Sequence, residues 1–192
     1  MDSKATKLES IAREIQNCKI CKKDKSGKAV PGEGNPDTKI VFIGEAPGRQ
    51  EARTGKPFVG RSGKFLRSLI REIGLKEEDV FITSPVKYLP DHGTPSKSDI
   101  KHGRLHLLKQ LKIIDPKIIV LLGKVACFGV LEEEIPINKM HGEILLRQLT
   151  DQDDKIYFVT FHPSAALRFP PIKKLFIEDF EKMRTLITSK SF

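Results

Sequence analysis

Two segments of this 192-residue chain end apolar runs with side chains suited to acid–base or charge-stabilising chemistry. Glu45 follows KIVFIG and belongs to GEAPG, and His162 follows KIYFVTF and opens HPSAALR. A carboxylate so placed can orient a water or stabilise a cationic centre. An imidazole can stabilise a developing anion. Phe58, within GKPFVG, offers an aromatic face for stacking, and Gly44 beside Glu45 permits close backbone approach. A separate group is Cys18-x-x-Cys21. His92, His102, His106 and His141 have no comparable context and read as surface or structural. Of these, His92, His102 or His106 could complete a zinc-like set with the two thiols, with nothing in the sequence to fix the geometry. Cys127 reads as a small buried residue.

The elements that must position these residues alternate along the chain. Residues 6–16 predict a helix, with Thr6 and Glu9 at capping-box spacing and Leu8, Ile11, Ala12 and Ile15 on one face. KIVFIG (39–44), DVFITS (79–84) and KIIVLLG (117–123) read as short apolar strands. Helices are expected over 62–73, over 99–114 behind Ser96-x-x-Asp99, around 126–131 and over 172–187. EILLRQL and KIYFVTF, separated by TDQDD, read as a hairpin or as two separate strands. Such alternation predicts an α/β fold with a mainly parallel sheet covered on both faces. Ligands of such sheets bind beyond the carboxyl ends of the strands. Four junctions lie there: GEAPG, TSPVK, LGK and FHPSAALR. Two of them carry Glu45 and His162.

Charge narrows the class of partner. Lys and Arg total 34 against 25 acids, a formal charge of +9. Residues 49–71 hold seven basic residues (Arg49, Arg53, Lys56, Arg61, Lys64, Arg67, Arg71) and one acid, Glu51. A polyanion is the expected partner. No apolar run reaches the ~18 residues of a membrane span. The N-terminus lacks the apolar core of a signal peptide, and three cysteines make no disulfide framework, so a reducing cytoplasm is expected. One domain over residues 1–192 is expected, with 1–38 an N-terminal helix and CxxC segment packed on it.

VPGEGNP (30–36), GEAPG, GKPFVGRSG (55–63), ITSPVK (82–87), the LGK after the third strand and HPSAALR (162–168) occur in an order that resembles the uracil-DNA glycosylase superfamily. The closest branch is the thermophile-type family 4. The resemblance implies a three-layer α/β/α sandwich around a four-stranded, mainly parallel sheet. It implies hydrolysis of the N-glycosidic bond of uracil in single- or double-stranded DNA, by a monomer that flips the base out of the stack. Glu45 and His162 match the water-positioning carboxylate and the histidine that donates to uracil O2. Gly44, Ala46, Phe58 and Ser84 fall around the base. Arg61, Ser62, Lys87, Ser164, Leu167 and Arg168 fall against the DNA. Ala166 stands where the family has a first leucine of the wedge, and Phe169 follows Arg168. No Lys occupies a position suited to Schiff-base chemistry, so a monofunctional glycosylase is expected.

Two departures stand out. Ser84 replaces an Asn that reads the uracil edge, and Pro85 follows it. A weakly active damaged-DNA binder, or a glycosylase with shifted choice such as hypoxanthine, are the alternatives this opens. The family also holds a structural four-iron, four-sulfur cluster on four cysteines. Cys18 and Cys21 match two of them, but Tyr88 and Gly103 stand at the others. The expectation is a remnant of that site, with no cofactor required for the chemistry.

Overall fold

The computed structural model describes residues 2–148 and 154–189. The chain begins with α1 (Lys4–Asn17), the turn α2 (Lys19–Lys22), and the two-residue strands β1 (Lys25–Ser26) and β2 (Glu33–Gly34). β3 (Ile40–Ile43), α3 (Arg49–Thr54), α4 (Arg61–Glu72), β4 (Val80–Thr83), β5 (Leu89–Pro90) and α5 (Lys97–Ile114) follow. The remainder is β6 (Ile118–Leu122), α6 (Lys124–Leu131), α7 (Ile137–Met140), β7 (Ile144–Gln148), β8 (Asp154–Thr160), α8 (Pro163–Arg168) and α9 (Pro170–Ser189).

The sheet has the order β2-β4-β3-β6-β8-β7. The four central strands are parallel, as expected. Two antiparallel edges raise the number of strands from the expected four to six: β2 on β4, and β7 on β8 as a hairpin. β2 is two residues flanked by Pro and Gly, too short for any period to reveal it. Most of TDQDD lies outside the described residues. β1 and β5 pair separately.

Side-chain alternation divides the core into two layers. Ile40, Phe42, Val80, Ile82, Ile118 and Val120 meet α4 and α9 through Leu66, Ile70, Phe176 and Phe180. Val41, Ile43, Ile119, Leu121, Tyr157 and Val159 meet α5 and α6 through Leu107, Leu111, Ala126 and Val130. Cys127 is fully buried in this second layer. At roughly 1.5–3 kcal/mol per fully buried large side chain, these layers are the main source of stability.

Local signals explain the helix limits. Ser96 Oγ accepts from the Asp99 N–H at 3.1 Å, and an Asp99 carboxylate oxygen accepts from the Ser96 N–H at 3.0 Å, so the expected capping box opens α5. α1 instead starts ahead of Thr6, because Ser3 Oγ accepts from the Thr6 N–H at 3.1 Å. α3 and α8, at six residues each, escape detection by periodicity. No described helix is long and apolar enough to cross a membrane.

Candidate active site

Chain direction forces the site to one end of the sheet. After β3 the chain passes through α4 to β4 on one side, then returns through α5 to β6 on the other. That reversal opens a crevice beyond the carboxyl ends of β3 and β6. A cleft of about 280 Å³ lies at this end, lined by Glu45, Ala46, Pro47, Gly48, Glu51, Phe58, Ser62, Leu89, Pro90, Gly93, His162 and Ser164. Small-molecule sites start near ~300 Å³, so this cleft suits one heterocycle better than a whole nucleotide.

His162 is the N-cap of α8. The Ser164 backbone N–H donates to its Nδ1 at 3.2 Å, and an N–H can only donate. Nδ1 is therefore the accepting nitrogen, and the ring proton sits on Nε2. Ser164 Oγ lies 2.7 Å from the same Nδ1 and donates to it. Close protein packing lowers the imidazole pKa to about 4, against an opposing pull from Glu51. One edge of the ring still meets the cleft. At neutral pH the site presents a neutral Nε2–H donor.

Glu45 leaves β3 in the loop before α3 and is half-buried. Burial raises its carboxyl pKa, with Lys124 acting the other way. A raised carboxyl is a better proton acceptor when ionised.

Phe58 is held in an uncommon conformation. Its φ of 51° is left-handed, which costs a non-glycine residue on the order of 1–3 kcal/mol. Three features over-determine it. A Cβ on Gly44 would lie 2.4 Å from Phe58 Cζ, so the bare backbone after β3 makes room for the ring. A Cβ on Gly63 would lie 2.1 Å from the Phe58 carbonyl carbon, so α4 accepts the loop only at a glycine. Arg67 donates from Nε to the Phe58 carbonyl at 3.0 Å and from an Nη to the Pro57 carbonyl at 2.9 Å. The Phe58 and His162 rings end 6.0 Å apart at 37°.

Glu51 joins the two Gly-rich loops. Its carboxylate accepts from the N–H groups of Gly48 (3.1 Å), Val59 (2.9 Å) and Gly60 (2.7 Å). In the sequence it stands out only as the one acid in a basic run. Its place at the third position of α3, three residues after Gly48, was the available signal. Arg67 likewise reads in the sequence as basic surface. It is also paired to Glu33 and Glu77 at 2.5 and 2.6 Å and acts as a brace under Phe58.

The cleft gathers Glu45, Ala46, Phe58, Ser62, His162 and Ser164, with Gly44 directly behind Phe58. Arg61 and Arg168 are exposed and Leu167 is half-buried. Phe169, at the end of α8, is 47% exposed. Two expected residues lie elsewhere. Ser84 is buried, donates from Oγ to the Val86 carbonyl at 2.8 Å, and is not part of the cleft lining. Lys87, expected against DNA, is instead 1% exposed and cannot reach a phosphate. Its ammonium donates to Thr83 Oγ1 (2.7 Å), Gln110 Oε1 (2.8 Å) and the Pro31 carbonyl (3.1 Å), and burial lowers its pKa to about 7. The segment after β4 turns inward, and three acceptors satisfy the amine there.

Cys18, Cys21, His102 and His106 form a second group, with one ligand atom from each lying within 4.8 Å of the others. His141 pairs with the buried Asp179 at 3.0 Å and reads as structural.

Comparison with known proteins covers most of the chain. The family described as the uracil DNA glycosylase superfamily matches residues 31–184. A type-4 uracil-DNA glycosylase of Sulfurisphaera tokodaii is 42% identical over 193 aligned positions, covering 96% of this chain and 87% of that protein. One from Thermotoga maritima is 37% identical over 185 positions, with 94% of each chain covered. One from Archaeoglobus fulgidus is 35% identical over 189 positions, covering 95% of this chain and 94% of that one.

Proposed function

This chain belongs to the uracil DNA glycosylase superfamily, and from that premise we propose that Glu45, His162 and Phe58 carry base release. The protein is a DNA-repair glycosylase that hydrolyses the N-glycosidic bond of uracil in DNA. One observation supports these roles above the others. A half-buried carboxylate and a neutral Nε2–H donor line the same base-sized cleft, from the loops after β3 and β8, with the Phe58 ring beside His162.

The reaction follows from that arrangement. The flipped base stacks on Phe58. The bond from C1′ to the base nitrogen breaks, and its electron pair leaves with the base. His162 Nε2–H donates to the base oxygen where negative charge collects, and the preset tautomer needs no rearrangement. The Glu45 carboxylate faces the cationic sugar and orients a water. The water oxygen bonds to C1′, and its proton passes to the carboxylate. Arg61, Ser62 and Arg168 hold phosphates beside the cleft, Ser164 having given both of its donors to His162 Nδ1, while Leu167 or Phe169 fills the gap in the stack. The chain acts as a monomer on single- or double-stranded DNA. Ser84 is tied to Val86, so base choice rests on other donors of the cleft wall, which keeps hypoxanthine as a second candidate base.

The experiment is single-turnover base release from oligonucleotides carrying uracil or hypoxanthine, single- and double-stranded, by the parent and by Glu45→Ala. Uracil release that disappears in the variant is expected. Tight binding of uracil DNA by a parent that releases nothing would move the assignment to a damage-binding protein.

A further inference from the structure

We infer that Cys18, Cys21, His102 and His106 bind one tetrahedral zinc-type divalent ion, in place of the four-iron, four-sulfur cluster that the family resemblance implies. The cluster fails the fit on three counts. It takes a thiolate on each of four irons, and this site has two. Tyr88, at one of the missing places, is buried among Ile11, Ile15 and Cys21. At the other, a Cβ on Gly103 would lie 2.0 Å from the Pro85 carbonyl oxygen, so α5 has no room there for any side chain.

The residues present suit a single ion. Cys18-x-x-Cys21 with His102-x-x-x-His106 has the ligand spacing of two-cysteine, two-histidine zinc sites. Residues 102 and 106 are one helical turn apart on α5, so both imidazoles leave the same face. Metal–sulfur bonds of ~2.3 Å and metal–nitrogen bonds of ~2.0–2.1 Å put the donor atoms of a tetrahedron roughly 3.3–3.8 Å apart. The four atoms here already lie within 4.8 Å of one another, and Cys18 Sγ is 3.1 Å from His102 Nε2. A two-iron centre with its histidines on one iron and its cysteines on the other would hold that sulfur and that nitrogen further apart. A soft sulfur pair with two imidazoles in tetrahedral array selects zinc over the hard, oxygen-seeking cations.

A second observation comes from His106. It is 4% exposed, and both of its ring nitrogens are without a hydrogen-bond partner. Its Nδ1 faces Glu14 Oε1 at 3.4 Å, the position of a carboxylate that orients a metal-bound imidazole. Nε2 is then left for the ion. So placed, the ion ties the α1–α2 junction to α5, behind the segment whose Leu89 and Pro90 line the cleft.

The test uses the full chain and no activity readout, so it stands or falls apart from the glycosylase assignment. The purified protein is expected to be colourless with one zinc per chain. A strong chelator is expected to lower its melting temperature, and added zinc to restore it. Cobalt substitution is expected to give the blue-green spectrum of a tetrahedral thiolate site. His102→Ala, at a half-buried position, is expected to weaken zinc binding at least about tenfold while the chain stays folded. His106→Ala is measured beside it, because that ring is buried. A brown protein with two or four irons per chain overturns the inference. So does a protein whose melting responds to neither chelator nor zinc, or a His102→Ala variant with parental zinc affinity.

Discussion

The base-release cleft and the Cys/His group both derive from places the family uses, yet they differ in what they tolerate. In the cleft, each part is fixed by several others. Phe58 is set by Gly44, Gly63 and Arg67, and His162 by the Ser164 N–H. On the proposed mechanism, the chemistry there demands a proton on one named nitrogen and a ring at one height. In the Cys/His group, two of the expected ligand positions carry other residues, and two imidazoles from one face of α5 stand beside the thiols instead. A structural staple needs four donors around a point, whatever positions provide them. Function in the cleft is a matter of exact atoms, and in the group it is a matter of cross-linking.

The strongest way to break this contrast is activity. His162→Ala is expected to slow single-turnover uracil release by about 10²–10³, the range for a group that stabilises developing charge. His102→Ala, measured well below its melting temperature, is expected to stay within about threefold of the parent, since its ring is remote from the reacting atoms. Equal losses in both variants would erase the distinction.

Next in size is Gly44→Ala. The new methyl meets the Phe58 ring and must displace it. Misplacement of a positioning group by about 1 Å can cost ~10²-fold, so a 10- to 100-fold loss in release with an unchanged fold is expected. A parental rate would remove Phe58 from the mechanism.

Acidity gives a smaller effect. The folded His162 pKa, about 4, lies below the unfolded value of 6.5. Its contribution to stability is therefore full above pH 6.5 and is lost as pH falls toward 4, because only the unfolded chain takes up the proton in that window. Denaturant titrations should show a shallower pH slope between 6.5 and 4 for His162→Asn than for the parent.

The smallest effect concerns Glu45, whose folded pKa is raised by burial. Such a group favours the fold below its unfolded pKa, and that advantage disappears as pH rises through the folded value. Glu45→Gln should then be slightly more stable than the parent at neutral pH, and the gap should close in acid. A variant less stable at pH 7 would mean that the carboxylate is held by partners and is not under strain from burial.

Much of this was legible in the sequence because local periods and caps dictate it. The apolar runs of β3, β4 and β6, the capping box of α5 and the placement of Glu45 and His162 after strands all follow from near neighbours in the chain. Less legible were elements too short to show a period, such as β2, α3 and α8. Least legible was the direction in which a polar side chain points. Lys87 and Arg67 read as basic surface. One is sealed against Thr83, Gln110 and Pro31, and the other is clamped beneath Phe58. A charged residue's fate depends on acceptors that are distant in sequence, and composition carries no record of them.

Sequence alone therefore determined the central parallel strands, the longer helices and the motifs at the carboxyl end of the sheet, since hydrophobic spacing and steric preference act within a few residues. Tertiary structure alone decided which donors meet across the chain. It put Glu51 between two loops. It brought residues 18 and 21 to within ligand distance of 102 and 106, because packing of α1 and α2 on α5 is a long-range contact that no local pattern encodes.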